Sequence, residues 1–364
     1  MSRLKYIELA RVYHPGCTLR EKLAEMQMSV KEFAVRTTKP EKTINSVLNG
    51  TSALTPDMAI AFETVTLIPA HLWMNLQREY DEFVARKKRE ELYCDKLTIK
   101  WAMSFPYEHM VEIGWLKPVA DIKERIADLL SFFRITSVQA WEDYYINQEL
   151  KVAFKLSLGK TKDPYAISAW LRKGDIEADK VSVLNSFSLS ETKKRIPLIL
   201  SLVKEQPENA IQALKSICSE SGIKLILTDL LPNAPVRGCA RWINGVPCIQ
   251  MTRSSKKYDL FWFSFFHELG HILLHGKKEV FMDEHNSSDS LDKEREADRF
   301  ASETLLDSAA ERELLAIKAF DADVIRRFAD QHNTHPAIVS GRLKYLNLIS
   351  EDLHTEMSVI ISTL

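Results

Sequence analysis

The stretch Phe266-His267-Glu268-Leu269-Gly270-His271-Ile272-Leu273-Leu274-His275 decides how the rest of the chain is read. It lies in an apolar run from Leu260 to His275, stopped by Gly276, whose spacing predicts a buried helix. Positions i and i+4 share one face of a helix, so His267 and His271 can hold one ion together. Glu268 projects beside the pair, where a carboxylate takes a proton from a metal-bound water without occupying the metal. A hydrolytic zinc needs a third protein ligand and one open position. The longer HExxHxxGxxH pattern would supply that ligand at position 277, but Lys277 stands there, so that version is excluded.

The third ligand is sought downstream, in Glu294-Arg295-Glu296-Ala297-Asp298, on a helix expected over about Leu291–Leu306 after a polar loop through Ser287-Ser288-Asp289-Ser290. At ~100° per residue, Glu294 shares a face with Ala297, Asp298, Ala301 and Leu305, while Glu296 points nearly opposite. The apolar members of that face must seek the core and take Glu294 with them. Asp298, one turn on, is placed to orient a ligand histidine from behind. Carboxylates on an apolar face are costly unless a cation or donor compensates them, and a metal does so. The reading is therefore one Zn2+ per chain on His267, His271 and Glu294, with Glu268 as acid/base. The bland alternative is a buried helix whose His and Glu satisfy one another. His275 competes as third ligand, or else binds the last carbonyls of its helix. Asp283, Glu284 and His285 read as solvated loop residues.

Upstream, Ile223–Leu227 reads as a short strand. Cys239–Ile243 and Val246–Met251 flank Asn244-Gly245, the strongest short hairpin signal. Pro247 predicts that the second hairpin strand is an edge, so Val246, Cys248 and Gln250 are expected to pair with an extended substrate. Cys239 and Cys248 can meet across the hairpin and are given no role. Tyr258 and His335 are the candidates for an oxyanion donor.

On these residues, the region from about 220 to 346 resembles an ImmA/IrrE-type metallopeptidase domain. The likeness rests on the Asn244-Gly245 hairpin, the Phe266–His275 segment, and Glu294-Arg295-Glu296-Ala297-Asp298-Arg299-Phe300-Ala301. It implies a small α+β zincin-like fold, zinc on His267, His271 and Glu294, and Glu268 as catalytic acid/base. Members are typically bacterial or phage-encoded and are associated with cleavage of repressor proteins.

Residues 15–90 read differently, as a series of short helices. Thr18 is expected to cap the first (Leu19, Leu23, Met26), and Ser29 with Glu32 to form a capping box for the second. After a turn at Thr37–Lys39, Pro40 opens a helix anchored by Ile44, Val47 and Leu48 that stops at Asn49-Gly50. Thr55-Pro56-Asp57 and Pro69 open two more. This is helix-turn-helix spacing. Its third helix presents Lys42, Thr43, Asn45 and Ser46, side chains suited to phosphates and base edges. Nine Lys/Arg against five Asp/Glu in residues 1–50 make this end locally positive. His14-Pro15-Gly16, Asn49-Gly50 and Trp73-Met74-Asn75-Leu76-Gln77-Arg78-Glu79-Tyr80-Asp81 make residues 13–88 similar to the Xre-type domain of HigA-like antitoxins. That likeness implies dimerisation through or near this domain and binding to palindromic operator DNA. The third helix departs from it in being weakly basic, with Lys42 beside an acidic Glu41.

The 364 residues exceed one ordinary domain. The expected organisation is a helix-turn-helix domain at 13–90, a helical spacer at 91–220 and the metallopeptidase domain at 221–350. The fold class is mainly α with the small α+β domain at the C-terminal end. Stripes led by Val119, Ile122 and Ile126, by Ile196, Leu198 and Ile199, and by Ala210 and Ile211 mark the spacer's helices. Val324–Tyr345 has a helix-turn-helix look and is read as packing on the peptidase helices. A net charge of −1 excludes a chain that is basic throughout, and 11 Gly with 13 Pro exclude low-complexity architecture. Five scattered Cys without a CxxC, no signal peptide and no apolar stretch of ~20 residues point to a soluble cytoplasmic protein without membrane association. The function read from all this is a DNA-binding, antitoxin-like regulator with a zinc-dependent endopeptidase that cuts a partner regulatory or toxin-related protein. The alternatives are an operator-binding repressor whose metal is structural or sensory, and a helical scaffold without a DNA role.

Overall fold

The structure, a computed structural model, describes residues 12–149, 163–253, 257–276 and 287–358. Lys277, Asp283, Glu284 and His285 lie outside the described residues. The chain divides into two compact units, Met1–Ile99 and Lys100–Leu364.

The first unit is helical: α1 (Pro15–Glu25), α2 (Val30–Arg36), α3 (Glu41–Leu48), α4 (Pro56–Thr66) and α5 (Ala70–Leu92). The cap of α1 is His14, whose Nδ1 accepts from Gly16 N at 3.0 Å, with Pro15 in the first turn. Thr18 is inside the helix, so its expected capping role falls to a residue four places earlier. Ser29 does cap α2, accepting from Glu32 N at 3.2 Å, but Glu32 pairs with Arg36 at 2.7 Å instead of closing the box. Thr55 caps α4, and Gly50 takes a positive φ of 70° after α3. Leu19, Phe33, Ile44, Val47, Phe62 and Trp73 are all fully buried in one core. Four residues separate α2 from α3, and Lys42 and Asn45 are exposed on the face of α3 opposite Ile44 and Val47.

Helix α6 (Lys96–Met103) contains the unit boundary; in the second unit, its last turn, α7 (Tyr107–Glu112), α8 (Ile122–Phe133) and α9 (Val138–Trp141) gather an aromatic cluster of Trp101, Phe105, Phe133 and Trp141. Val119 precedes α8 rather than belonging to it. Then come α10 (Pro164–Ala178), α11 (Leu189–Glu205) and α12 (Ala210–Glu220). On α11, Ile199 and Val203 are buried but Leu198 is 55% exposed, so the stripe is narrower than expected.

Helices α10 to α12 do not stand apart from the C-terminal sheet. Ile199, Val203, Ile211, Leu214 and Cys218 share a core with β1 (Lys224–Thr228), β3 (Val246–Thr252) and the HExxH helix. Helix α10 docks through Gly174, where an added Cβ would stand 1.9 Å from Gln250 Oε1. Around it, buried Arg241 pairs with Asp175 at 3.0 Å, and Gln250 Nε2 donates to the Trp170 carbonyl at 2.7 Å. The region read as a spacer thus forms part of the wall behind the sheet.

The hairpin forms as expected, from β2 (Gly238–Ile243) and β3, with Asn244 and Gly245 both at positive φ. The strand order, β1-β3-β2, overturns one expectation. β3 is central, parallel to β1 and antiparallel to β2, so Val246, Cys248 and Gln250 are not an open edge for substrate. Pro247 is tolerated there for a geometric reason. Ile243 and Val246 flank the two-residue turn and exchange bonds, so the nitrogen of Pro247 faces away from β2. On that side the ladder with β1 begins only at Cys248. Cys239 lies opposite Gln250 and Cys248 opposite Arg241, so the two thiols do not meet. Both are buried and unbridged.

Helix α13 (Tyr258–Gly270) comes next, extended by a wider π turn over His271–His275 that ends at Gly276 with φ 62°. Helix α14 (Ser287–Leu305) starts a turn earlier than expected. The remaining helices are α15 (Ser308–Ala316), α16 (Ala322–Gln331), α17 (Pro336–Tyr345) and α18 (Glu351–Met357). Ala337 and Ile338 of α17 join the core around α13, in keeping with packing rather than a second DNA-reading unit. Among the described residues no helix is long and apolar enough to cross a membrane.

Candidate metal centre

Two helices build the site. α13 is apolar on nearly all sides, with Phe261, Phe265 and Phe266 fully buried, and only its last turns direct polar atoms outward. α14 crosses close to it because the facing residues are small: Ala297 and Ala301 are fully buried, and a Cβ on Gly270 would stand 3.3 Å from Ala297 Cα and 3.0 Å from Phe300 Cδ1. This close approach brings Glu294 to the two histidines.

His267 Nε2 lies 3.0 Å from His271 Nε2 and 3.3 Å from Glu294 Oε2, and His271 Nε2 lies 3.4 Å from Glu294 Oε1. A tetrahedral ion with bonds of ~2.0–2.1 Å sets its ligand atoms about 3.3 Å apart, so the cluster has the spacing of three corners of a zinc tetrahedron. The side chains are 17%, 21% and 44% exposed, which leaves one side of the cluster accessible.

The far ring nitrogens are held as well. His267 Nδ1 stands 2.8 Å from Asp298 Oδ1, an arrangement that puts the ring proton on Nδ1 and leaves Nε2 a lone pair. His271 Nδ1 stands 3.1 Å from His275 Nδ1, and His275 Nε2 stands 3.2 Å from Glu296 Oε2. His275 therefore sits behind His271, neither joining the ligand cluster nor capping its helix. Helical periodicity puts Glu296 on the opposite face, yet it reaches His275, because the π turn swings that histidine towards α14. The one legible signal for this second relay is the four-residue spacing of His271 and His275.

The charges favour a cation in this place. Burial depresses the His267 ring's affinity for a proton, but hydrogen bonds to Asp298 and Glu294 outweigh it and raise the ring's pKa. Burial and the neighbouring His267 lower that of His271. A divalent ion supplies positive charge to the carboxylates without protonating either ring.

Glu268 is 8% exposed and lies against β2. Gly238, Ala240 and Trp242 turn their backbone groups to the free side of that strand, because Cys239, Arg241 and Ile243 use theirs on β3. The Ala240 N–H donates to the Glu268 carboxylate. Gly238 leaves room for it: a Cβ there would stand 2.8 Å from Glu268 Cγ. Burial pushes the Glu268 carboxyl up to about 7, opposed by His267 and by the Ala240 N–H and reinforced by Glu294. A carboxylate of this kind exchanges protons near neutrality.

Neither oxyanion candidate has the required position. The Tyr258 hydroxyl is buried and donates to the Val203 carbonyl at 2.5 Å. His335 caps α17, accepting from Ala337 N at 3.1 Å, and lies against the Tyr258 ring.

Comparison with known proteins finds relatives for both ends of the chain. Residues 219–334 match the IrrE N-terminal-like domain, a peptidase family model. At the other end, 81 residues are 33% identical to an uncharacterized HTH-type transcriptional regulator, YddM, of Escherichia coli (strain K12), over 22% of this chain and 86% of the relative. The chain joins a helix-turn-helix region of the transcriptional-regulator type to a region that matches the IrrE N-terminal-like domain.

Solved structures similar to the helix-turn-helix region include an addiction module antidote protein of the HigA family from Coxiella burnetii. It is 32% identical over 22% of this chain and 87% of its own, with a TM-score of 0.21. The Pseudomonas aeruginosa antitoxin HigA, solved with the higBA promoter, is 31% identical over 22% of this chain and 90% of its own, with a TM-score of 0.22. The IrrE N-terminal-like match spans β1 to α16 and therefore contains all the residues of the cluster.

Proposed function

We propose that this protein is a transcriptional regulator whose C-terminal region is a zinc-dependent endopeptidase acting on a partner regulatory protein. The observation that carries the reading is the convergence of His267, His271 and Glu294 beside a buried carboxylate, Glu268, that is not one of the three. A structural metal site has no use for that fourth group; amide hydrolysis needs it.

His267, His271 and Glu294 would hold the zinc, which supplies Lewis acidity and lowers the pKa of bound water towards neutrality. Asp298 and His275 fix the rings of the two histidines. Glu268 accepts the proton of the attacking water and passes it to the leaving amine. The Ala240 N–H holds the carboxylate in place meanwhile. The free edge of β2 runs beside Glu268, so an extended substrate pairing there would place a peptide bond within its reach. This edge takes the role that Pro247 alone would assign to β3.

In the N-terminal region, Lys42, Thr43, Asn45 and Ser46 of α3 are proposed to contact operator DNA, with Lys42 on phosphate or guanine and Asn45 on adenine. The Ser46 hydroxyl already donates to the Lys42 carbonyl at 3.0 Å, so it can still accept. A homodimer formed near this region and a cytoplasmic location belong to the same reading.

The test is cleavage of regulators encoded beside the gene, with mass spectrometry of the fragments. Glu268→Gln should retain zinc and lose cleavage. Cleavage at the wild-type rate in that variant would overturn the assigned chemistry. The second reading, a repressor with a structural or sensory metal, draws support from the burial of Glu268 and its bond to Ala240 N. It predicts stoichiometric partner binding, unaffected by Glu268→Gln, and no fragments.

A further inference from the structure

A cavity of about 360 Å3 opens at the edge of the sheet remote from Glu268. Leu225, Ile226, Leu227 and Thr228 of β1 all border it, although these residues are only 3%, 3%, 8% and 1% exposed. Successive strand side chains point to opposite faces, so four neighbours can share one cavity only through their backbone. β1 pairs on one side, with β3. Among the described residues, no turn or loop backbone bond reaches Leu225, Ile226 or Leu227. The cavity is therefore floored by a strand edge with donors and acceptors to offer.

The walls are cationic. Lys173, Lys180, Lys215 and Arg253 face two carboxylates, Glu177 and Asp229. Glu177 is taken by Lys173 at 2.7 Å and Lys180 at 2.9 Å, and Asp229 by Arg253 at 3.6 Å. Lys215, on α12, has no acidic partner among the described residues. Positive charge is in excess around a backbone edge.

We propose that β1 is a docking edge for an extended acidic segment of a partner protein, which adds as a fourth strand and places carboxylates against Lys215 and Lys173. The segment's main chain supplies affinity through ladder bonds, and its charge supplies selectivity. A small anion would use the lysines but not the edge, which is why the occupant is a peptide. The site shares no residue with the metal centre, and its occupation does not depend on metal or on cleavage.

The test uses the full-length chain and a fluorescein-labelled acetyl-(Glu-Thr)4-amide peptide, monitored by anisotropy at low and high salt. The acidic peptide should bind, weaken as salt rises, and lose about tenfold or more in affinity in Lys215→Glu. The same peptide N-methylated at alternate residues should lose as much on the unaltered protein, a comparison that does not depend on how the variant folds. The proposal is overturned if a basic control peptide, labelled acetyl-(Lys-Thr)4-amide, binds equally well, or if the N-methylated peptide binds undiminished. It is also overturned if inorganic phosphate displaces the peptide at equal concentration, or if no binding occurs at about 1 mM.

Discussion

The Nδ1 of His267 lies 2.8 Å from a carboxylate oxygen of Asp298, one helical turn beyond Glu294 on the same helix. One helix thus supplies both a candidate ligand and the group that sets the tautomer of another. Asp298→Ala should retain the fold, since the side chain is 59% exposed, and should weaken zinc binding by about 10–100-fold. Competition with a chromophoric chelator reads this directly. Unchanged affinity would mean that Asp298 is a surface bystander.

The approach of the two helices depends on Gly270. Its Cβ-less surface meets Ala297 and Phe300, so Gly270→Val should push α14 away and carry Glu294 with it. Zinc affinity should fall by at least tenfold although both histidines remain. Overpacking of this kind also costs about 1–3 kcal/mol, visible as a lower melting temperature. Wild-type affinity in the variant would show that Glu294 does not need this contact.

Gly238 makes a parallel prediction on the other wall. Gly238→Ala places a methyl carbon 2.8 Å from Glu268 Cγ and 2.9 Å from its Oε1, and should displace the carboxylate without touching the metal ligands. Zinc stoichiometry should stay at wild-type level while cleavage falls. Loss of zinc in this variant would argue that β2 supports the ligands rather than Glu268.

His335 couples stability to pH. Burial lowers its pKa below the ordinary 6.5, and its Nδ1 must be unprotonated to accept from Ala337 N. The unfolded chain binds the proton more readily, so this contribution is present above about pH 6.5 and is lost as pH falls below it. Asn caps helices without titrating. Between pH ~7.5 and ~5.5, His335→Asn should therefore lose less melting temperature than the unaltered protein. An equal or larger loss would show that His335 does not set this pH dependence.

At the N-terminal unit, Lys42 and Asn45 should separate on DNA from upstream of the gene. Lys42→Ala should weaken binding across sequences and reduce the salt slope by about 1. Asn45→Ala should cost about 1–3 kcal/mol and relax preference at one base pair. If both variants bind as the wild type does, α3 is not the reading helix.

Much of this arrangement was legible in the residues. The i, i+4 pair His267 and His271, and the apolar stripe that takes Glu294 inward, are periodic features, and period survives in a sequence. The Asn244-Gly245 turn was equally plain because few dipeptides accept two positive φ values. What escaped was set by long-range pairing. Pro247 marks an edge only if a neighbour would need its N–H, and the stagger of β1 against β3 removes that need. The pairing of buried Arg241 with half-buried Asp175 between α10 and the sheet could not be read either, since each alone looks like a surface charge. Glu296 eluded helical periodicity because the π turn, not α14, brings His275 to it.

On the proposed function, two imidazoles and the Glu294 carboxylate grip one zinc ion. Zinc-edge X-ray absorption on the full-length chain loaded with one equivalent tests it most directly. Nitrogen and oxygen scatterers only are expected, two of them imidazoles, with a spectrum that changes in Glu294→Ala. Sulfur in the coordination shell, or a spectrum indifferent to the loss of Glu294, would contradict it.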